Sequence, residues 1–295
     1  MTTTTTLAPA AAHTPARKLR AGEMARSTLV HLVLGGYSLL VLCPIVLVLV
    51  NSFKSRRAIF DDPLALPTAA TLSVVGYTKV LSNSAILSMF FNSAIVTGTS
   101  LVLILLFAAM AAWALTEYGF RGNRLLAIFL AFGIMVPIRL GSVSILQTMV
   151  ALDLVNTLTA LVLVYVAQGL PLAILILSEF IQQVPSELKD AARCDGVGEF
   201  KIFFRIILPL IRPAVATVAV FTMVPIWNDL WFPLILAPSE ATQTITLGVQ
   251  QFIGQFATDW NAVLAALSLA VLPVLVLYAL LSRQLIRGIT AGAVK

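Results

Sequence analysis

The chain places a few ionisable residues where charge is costly. Arg139 and Asp229 interrupt long apolar runs. A charge at the centre of a membrane helix costs about 2.5–3.5 kcal/mol, so each must face a partner or a water-filled cavity. Arg139 lies 15 residues beyond Arg124 and Asp229 lies 16 beyond Pro213, which sets both about 22–24 Å along their runs at 1.5 Å per residue. The two are expected to pair or share a hydrogen-bond network. The alternative satisfies each separately, by snorkelling or by backbone groups freed at Pro137, Pro225 and Pro233. Trp227, Asn228 and Trp231 flank Asp229. Aromatic faces stack on ring-shaped solutes and amides bond hydroxyls, so these three could line a translocation path or gate, although a Trp near an interface also serves as a membrane anchor. No Gly-x4-Gly-Lys-Ser/Thr loop is present to cradle ATP, and no Ser-His-Asp set or HExxH appears. Cys43, Cys194, His13 and His31 have no metal or redox spacing. Neither catalytic residues, nor a metal, nor a cofactor bound by this chain is expected.

The elements that carry these residues follow from composition. Of 295 residues, 59% are hydrophobic and 11% charged, too little charge to clothe a soluble globule, and mean hydropathy is +0.98. Disordered, collagenous, coiled-coil and disulfide-stapled classes are excluded by the same figures. The reading is an all-α membrane protein of six transmembrane helices: Leu29 to Val50, Phe90 to Leu115, Leu125 to Leu146, Leu158 to Ile181, Pro213 to Ala237 and Ala262 to Ser282. Residues 1–27 read as a disordered tail, 28–283 as the membrane domain and 284–295 as a second tail. Pro171, within Gln168-Gly169-Leu170-Pro171, marks a kink or pivot in the fourth span.

Lys and Arg collect on the inner side of membrane proteins. With the N-terminus inside, the inner segments hold four, two, five and three basic residues, fourteen in all, against four outside (Lys54, Arg56, Arg57 and Lys79); Arg139 within a span completes the 19. Both termini are therefore expected in the cytoplasm, with Lys54, Arg56 and Arg57 a local exception. The net charge of +6 reflects this bias and implies no nucleic-acid partner. The outer connection from Pro238 to Asn261, with Phe252, Phe256 and Trp260, is long enough to dip back or to touch an external partner.

The inner connection, 182–212, is the most polar stretch. Pro185-Ser186-Glu187 reads as a helix start, with Ser186 as cap and Glu187 and Asp190 in the first turn at the positive end of the dipole. Gly196 ends the helix. Leu188, Ala191, Ala192 and Asp195 are expected to share one narrow, small-residue face suited to a groove on another protein. A second amphipathic stretch runs from Glu199 to Pro209.

Asp190-Ala191-Ala192, three residues, Gly196, nine residues, Ile206, one residue and Leu208-Pro209 resembles the EAA loop of binding-protein-dependent ABC importer permeases. Asp stands where the motif begins with Glu. Trp227-Asn228-Asp229, Trp231, Pro233, the GQFATDW of the outer connection and the C-terminal Arg287 to Lys295 resemble the MalG-type carbohydrate permeases. The resemblance implies a heterodimer with a MalF-like second permease, two copies of a cytoplasmic ATPase subunit that use ATP and Mg, and an external sugar-binding protein. It further implies that Glu187, Leu188, Asp190, Ala191, Ala192, Gly196 and Pro209 couple this chain to the ATPase, and that the C-terminal tail reaches it. An ABC permease for another solute, or an ion-driven carrier using Asp229, are the rival readings.

Overall fold

A run of some 20 apolar residues in lipid must satisfy every backbone group internally, which only a helix achieves within one segment. The computed structural model describes residues 21–250 and 259–293 and, among them, contains helices and a single isolated antiparallel bridge, Lys54 with Leu72. Contacts divide the chain at residue 47. The first unit is the body of α1 (Ala21–Ser52), 32 residues or about 48 Å, enough to cross the roughly 30 Å bilayer core. Its helical conformation begins at Ala21, inside the segment read as tail. Residues 1–20 lie outside those described.

In the second unit, α2 (Arg56–Asp61) and α3 (Val75–Ser82) lead into α4 (Ser84–Glu117), capped by Asn83, whose side chain accepts from the amides of Ala85 and Ile86. α5 (Asn123–Met135) passes through a 3₁₀ turn, Ile138–Gly141, into α6 (Ser142–Ala151). α7 (Leu158–Gln182) is followed by the short α8 (Ser186–Cys194) and α9 (Glu199–Ile202), then by a π-helical turn, Phe203–Ile207, and α10 (Leu208–Leu210). α11 (Arg212–Trp227), α12 (Trp231–Leu236), α13 (Ile245–Val249) and α14 (Trp260–Ala293) complete it.

Among the described residues, four helices, α1, α4, α7 and α14, are individually long and apolar enough to cross a membrane, and the number reaches six when two bent pairs are each counted as one span. The bends revise the expected third and fifth spans. The third is not one rod: α5 and the 138–151 segment meet at 85°. Pro137 lacks an amide hydrogen and drives the residue before it out of the helical region, and Val136 has ψ 117°. The fifth is cut after Trp227, and a 76° bend at Ile211, just before its expected start at Pro213, sets the amphipathic α9–α10 segment off from α11. Pro209 also explains the π turn. It cannot donate to the carbonyl of Arg205, and the Leu208 amide bonds instead to Phe203, five residues back. α7 continues through Pro171 as one helix.

Between membrane helices, lipid is as apolar as leucine, so close packing of small residues supplies much of the association. The α4–α7 contact, the most extensive in the unit, follows this rule: Ala108 and Ala112 on α4 and Ala173 on α7 are fully buried. α3 and α14 approach so closely that a Cβ on Gly76 would run into the backbone carbonyl of Asn261. Gly76→Ala is accordingly expected to cost about 1–3 kcal/mol as the helices are pushed apart. The thermal midpoint of the detergent-purified chain checks this; an unchanged midpoint contradicts it.

Of the basic residues after α1, Lys54 is not a free loop charge, whereas Arg56 and Arg57 are exposed. Lys54 is 1% exposed, and its ammonium donates to the carbonyls of Asp62 (2.9 Å) and Pro63 (3.3 Å). It gathers the carbonyls at the end of α2, which satisfies the buried ammonium. The first part of the connection after α12 dips back into the unit. Asn92 on α4 donates to the carbonyls of Ala241 (2.9 Å) and Gln243 (3.0 Å), Ser93 accepts from the amide of Ile245 (2.8 Å), and α13 is buried. Phe252, Phe256 and all of GQFATDW except Asp259 and Trp260 lie outside the described residues, as do Val294 and Lys295. The C-terminal segment expected as a tail is helical through Ala293.

Candidate functional site

α8 shows one anchored face and one open face. Ala192 is buried among Leu177, Ile181, Ile202, Phe203 and Ile207, while Glu187, Leu188, Asp190, Ala191 and Gly196 are exposed. The single face expected from Leu188, Ala191, Ala192 and Asp195 is therefore split. Consecutive helical residues point about 100° apart, so Ala191 faces out where Ala192 faces in. Ser186 is not the cap: Pro185 holds that position, Ser186 is the first helical residue, and no side chain caps the helix. Gly196 ends the helix as expected. It adopts φ +73°, while the amide of Val197 reaches the carbonyl of Ala192 at 3.0 Å.

The anchored face carries charge as well as alanine. Lys189 and Arg193, four residues apart and hence on one side, both reach Glu117, the last residue of α4, at 2.6 and 2.5 Å. The side chains of Glu117 and Lys189 are 9% and 13% exposed. Arg193 also donates through Nε to Glu199 (2.8 Å) and through Nη1 to Asp190 (3.1 Å). Tyr118 donates to the other Glu199 oxygen at 2.9 Å, and the Lys189 ammonium sits 5.7 Å from the centre of the Trp113 ring. α8 is thus riveted to the end of α4 and to the start of α9.

Hydrogen bonding from Arg193, opposed by partial burial and helped by Tyr118, holds the Glu199 carboxyl below its ordinary value of 4.5. A carboxyl lowered in the folded state contributes stability above its unfolded value and loses it as pH falls through the folded one. Hydrogen exchange of the α8 amides is therefore expected to be flat from pH 8 to about 5, apart from the intrinsic rate, and to rise only in acid below 4.5. Glu199→Gln should shrink that acid step, and the remainder belongs to Glu117, which bridges Lys189 and Arg193 on the same helix. A step of undiminished size in Glu199→Gln places it elsewhere.

A second constellation lies at the breaks in α5–α6 and α11–α12. A cavity of about 190 Å³ is lined by Arg139, Tyr165, Gln168, Phe221, Thr222 and Asp229, with further apolar residues. Arg139 donates through Nη2 to Asp229 Oδ1 at 3.3 Å. Asp229 Oδ1 also accepts from the amide of Trp231 (3.3 Å), and Oδ2 accepts from the Tyr165 hydroxyl (2.9 Å) and the amide of Phe232 (3.1 Å). The carboxylate thereby caps α12, whose first amides have no carbonyl partner within the helix.

The structure brings Arg139 and Asp229 together and sends their expected companions elsewhere. Trp227 is 4% exposed, donates to the carbonyl of Ala270 (2.9 Å) and meets Phe90 edge-on, away from the cavity. Asn228 returns its amide to its own helix at Val224 (2.9 Å). Trp231 donates to the Ser142 hydroxyl (2.8 Å), tying α12 to α6. Pro209, half-buried, shapes the π turn. Sequence reasoning missed Glu117, Tyr165 and Gln168. Glu117 had a signal, being the only charged residue of a 34-residue helix. Tyr165 had none, since nothing local shows what its hydroxyl meets.

Among the described residues, no group of three or more His, Cys, Asp or Glu is placed to hold a metal ion. The sequence profile of the family described as the inner membrane component of binding-protein-dependent transport systems matches residues 104–291. The diacetylchitobiose uptake system permease protein NgcG of Streptomyces coelicolor is 30% identical over 279 residues, 94% of this chain and 92% of that protein. The melibiose/raffinose/stachyose import permease protein MelC of Bacillus subtilis is 31% identical, over 85% and 91% of the two chains. Among solved structures, a bacterial ABC transporter that imports the acidic polysaccharide alginate contains a chain with TM-score 0.76 and 20% identity, covering 89% of this chain and 97% of that one, a likeness of fold.

Proposed function

The chain belongs to the family of inner-membrane components of binding-protein-dependent transport systems, and from that premise we propose that it is the permease subunit of an ATP-driven importer for a sugar. The observation that carries the reading is α8. Its motif residues Glu187, Leu188, Asp190, Ala191 and Gly196 are exposed, whereas its other face is tied to α4 by a nearly buried ion cluster. A helix free on one side and rigidly joined on the other transmits a push from a docked partner into the bundle. The partner is a cytoplasmic ATPase, present in two copies with its own ATP and Mg; the alanine permits close approach and the acidic first turn meets basic groups. The chain spans the cytoplasmic membrane six times with both termini inside, beside a MalF-like second permease and below an external sugar-binding protein. Closure of the ATPases tilts α8 and α4 together and opens the cavity outward to receive sugar.

The two relatives named above transport diacetylchitobiose and melibiose, raffinose or stachyose, which supports an oligosaccharide. The test is to co-purify the chain with its second permease, ATPase and binding protein, reconstitute the complex and measure ATPase across a sugar panel. Stimulation by a sugar and its loaded binding protein, with uptake into vesicles, is expected. Uptake by the chain alone under an ion gradient, or no stimulation by any sugar, overturns the proposal.

A further inference from the structure

The Arg139–Asp229 pair is asymmetric. Asp229 is 8% exposed, and three donors besides Arg139 hold it: the Tyr165 hydroxyl on α7 and the amides of Trp231 and Phe232. Arg139 is 68% exposed, stands on the 3₁₀ turn after Pro137, and among the described residues hydrogen-bonds through its side chain only to Asp229, at a long 3.3 Å. Removing the guanidinium leaves the carboxylate satisfied and in place. The reverse does not hold, since Arg139 has no other side-chain partner among the described residues. One turn along α7 from Tyr165, Gln168 lines the same cavity, and its amide is exposed with no hydrogen-bond partner among the described residues. The exposed Phe221 ring lies on the wall as well.

The accessible polar groups of this cavity are therefore weighted to donors. A guanidinium carries five N–H donors and no acceptor, and Gln adds an amide that gives and takes. With an aromatic face beside them, they fit a saccharide that presents acceptor oxygens. The volume, about 190 Å³, is below the roughly 300–1,000 Å³ of pockets that enclose a whole drug-sized ligand. It suits one ring of a longer sugar rather than the entire chain.

Resting on the reading of this protein as a sugar permease, we propose that Arg139 is a substrate-binding residue: its guanidinium leaves Asp229 for the acceptor oxygens of a sugar ring in this cavity, with Gln168 as the second contact. Asp229 and Tyr165 form the dock to which it returns when the cavity empties. Hydroxyl and carboxylate oxygens offer the same acceptor chemistry, and the Arg fork favours a carboxylate because it can take both oxygens at once.

The experiment uses the full reconstituted complex carrying Gln168→Cys, with exposed Cys43 and Cys194 replaced by Ser. The rate of labelling by a water-soluble methanethiosulfonate is compared with sugar-loaded and sugar-free binding protein in the presence of a non-hydrolysable ATP analogue. Loading is expected to slow labelling at least fivefold. Arg139→Ala should remove that protection, and Arg139→Lys should restore part of it, since Lys keeps the charge and loses the fork. Protection by a uronic-acid sugar but not its neutral counterpart assigns a carboxylate ligand, and protection by both assigns hydroxyls; either supports the proposal. Equal labelling with and without sugar, in a complex whose ATPase the sugar stimulates, overturns this inference and leaves the permease reading standing. So does protection undiminished in Arg139→Ala. A complex stimulated by no sugar removes the permease reading and this inference with it.

Discussion

Glu117→Ala is expected to uncouple the transporter while leaving its helices inserted. Glu117 is the shared anion of Lys189 and Arg193, and both it and Lys189 are close to buried. Removing one member of such a pair leaves an uncompensated charge and typically costs about 3–5 kcal/mol. Arg193 retains Glu199 and Asp190, but Lys189 loses its only ionic partner among the described residues and keeps the face of Trp113. The loss therefore falls on the joint between α8 and α4 rather than on the bundle as a whole. Three readouts follow: recovery of the chain from the membrane should hold, hydrogen exchange on α8 should quicken, and sugar uptake per ATP hydrolysed should fall at least tenfold. Glu117→Gln keeps the shape and should be milder. If Glu117→Ala leaves both α8 exchange and the coupling ratio at wild-type values, the ion cluster plays no part in transmission.

Asp229→Ala is expected to be the more destructive change at the other site. It strands the Tyr165 hydroxyl, the amides of Trp231 and Phe232 and the Arg139 guanidinium together. Buried donors left unsatisfied cost about 1–3 kcal/mol each, so a total of roughly 3 kcal/mol or more is in prospect even with water entering the cavity. The first turn of α12 loses its cap, and yield and thermal midpoint should both drop. A charge swap, Arg139→Asp with Asp229→Arg, separates this account from a simple ion pair. Restoration is expected if attraction is all that matters, but an arginine at 229 has no acceptor oxygen for the α12 amides, and the double variant should remain as unstable as Asp229→Ala. Recovery of a wild-type midpoint in the swap would sink the capping account.

These outcomes bear on what was legible in advance. The membrane class, the helical fold and the motif from Asp190 to Pro209 are written locally. Apolar length, charge shortage and short spacings do not depend on what packs against them, and Gly196 takes its left-handed place for the reason its type suggests. The similar depth of Arg139 and Asp229 also follows from local information, because helical rise converts residue counts into depth, but that the two side chains meet does not. Bends are harder. Pro137 and Pro209 announce that something breaks, but 85° at one and a π turn with a 76° bend close behind the other depend on what each segment packs against.

Beyond that, type and position do not determine contact. Trp227 and Trp231 look equivalent in sequence, yet one is buried against Phe90 and Ala270 and the other ties α12 to α6. Glu187 and Glu199 look like similar charges of one polar loop, yet one is exposed and the other is held by Arg193 and Tyr118. The sequence by itself determined the class of the protein, its apolar elements and the helix that carries the motif, since these rest on periodicity and composition within single segments. Only the tertiary structure decided that α8 is pinned to α4 through Glu117 and that Asp229 is a cap first and an ion partner second. Those facts are set by side chains 64 to 76 positions apart in the chain, from Asp229 to Tyr165 and from Arg193 to Glu117, whose meeting is a property of helix packing and leaves no local trace.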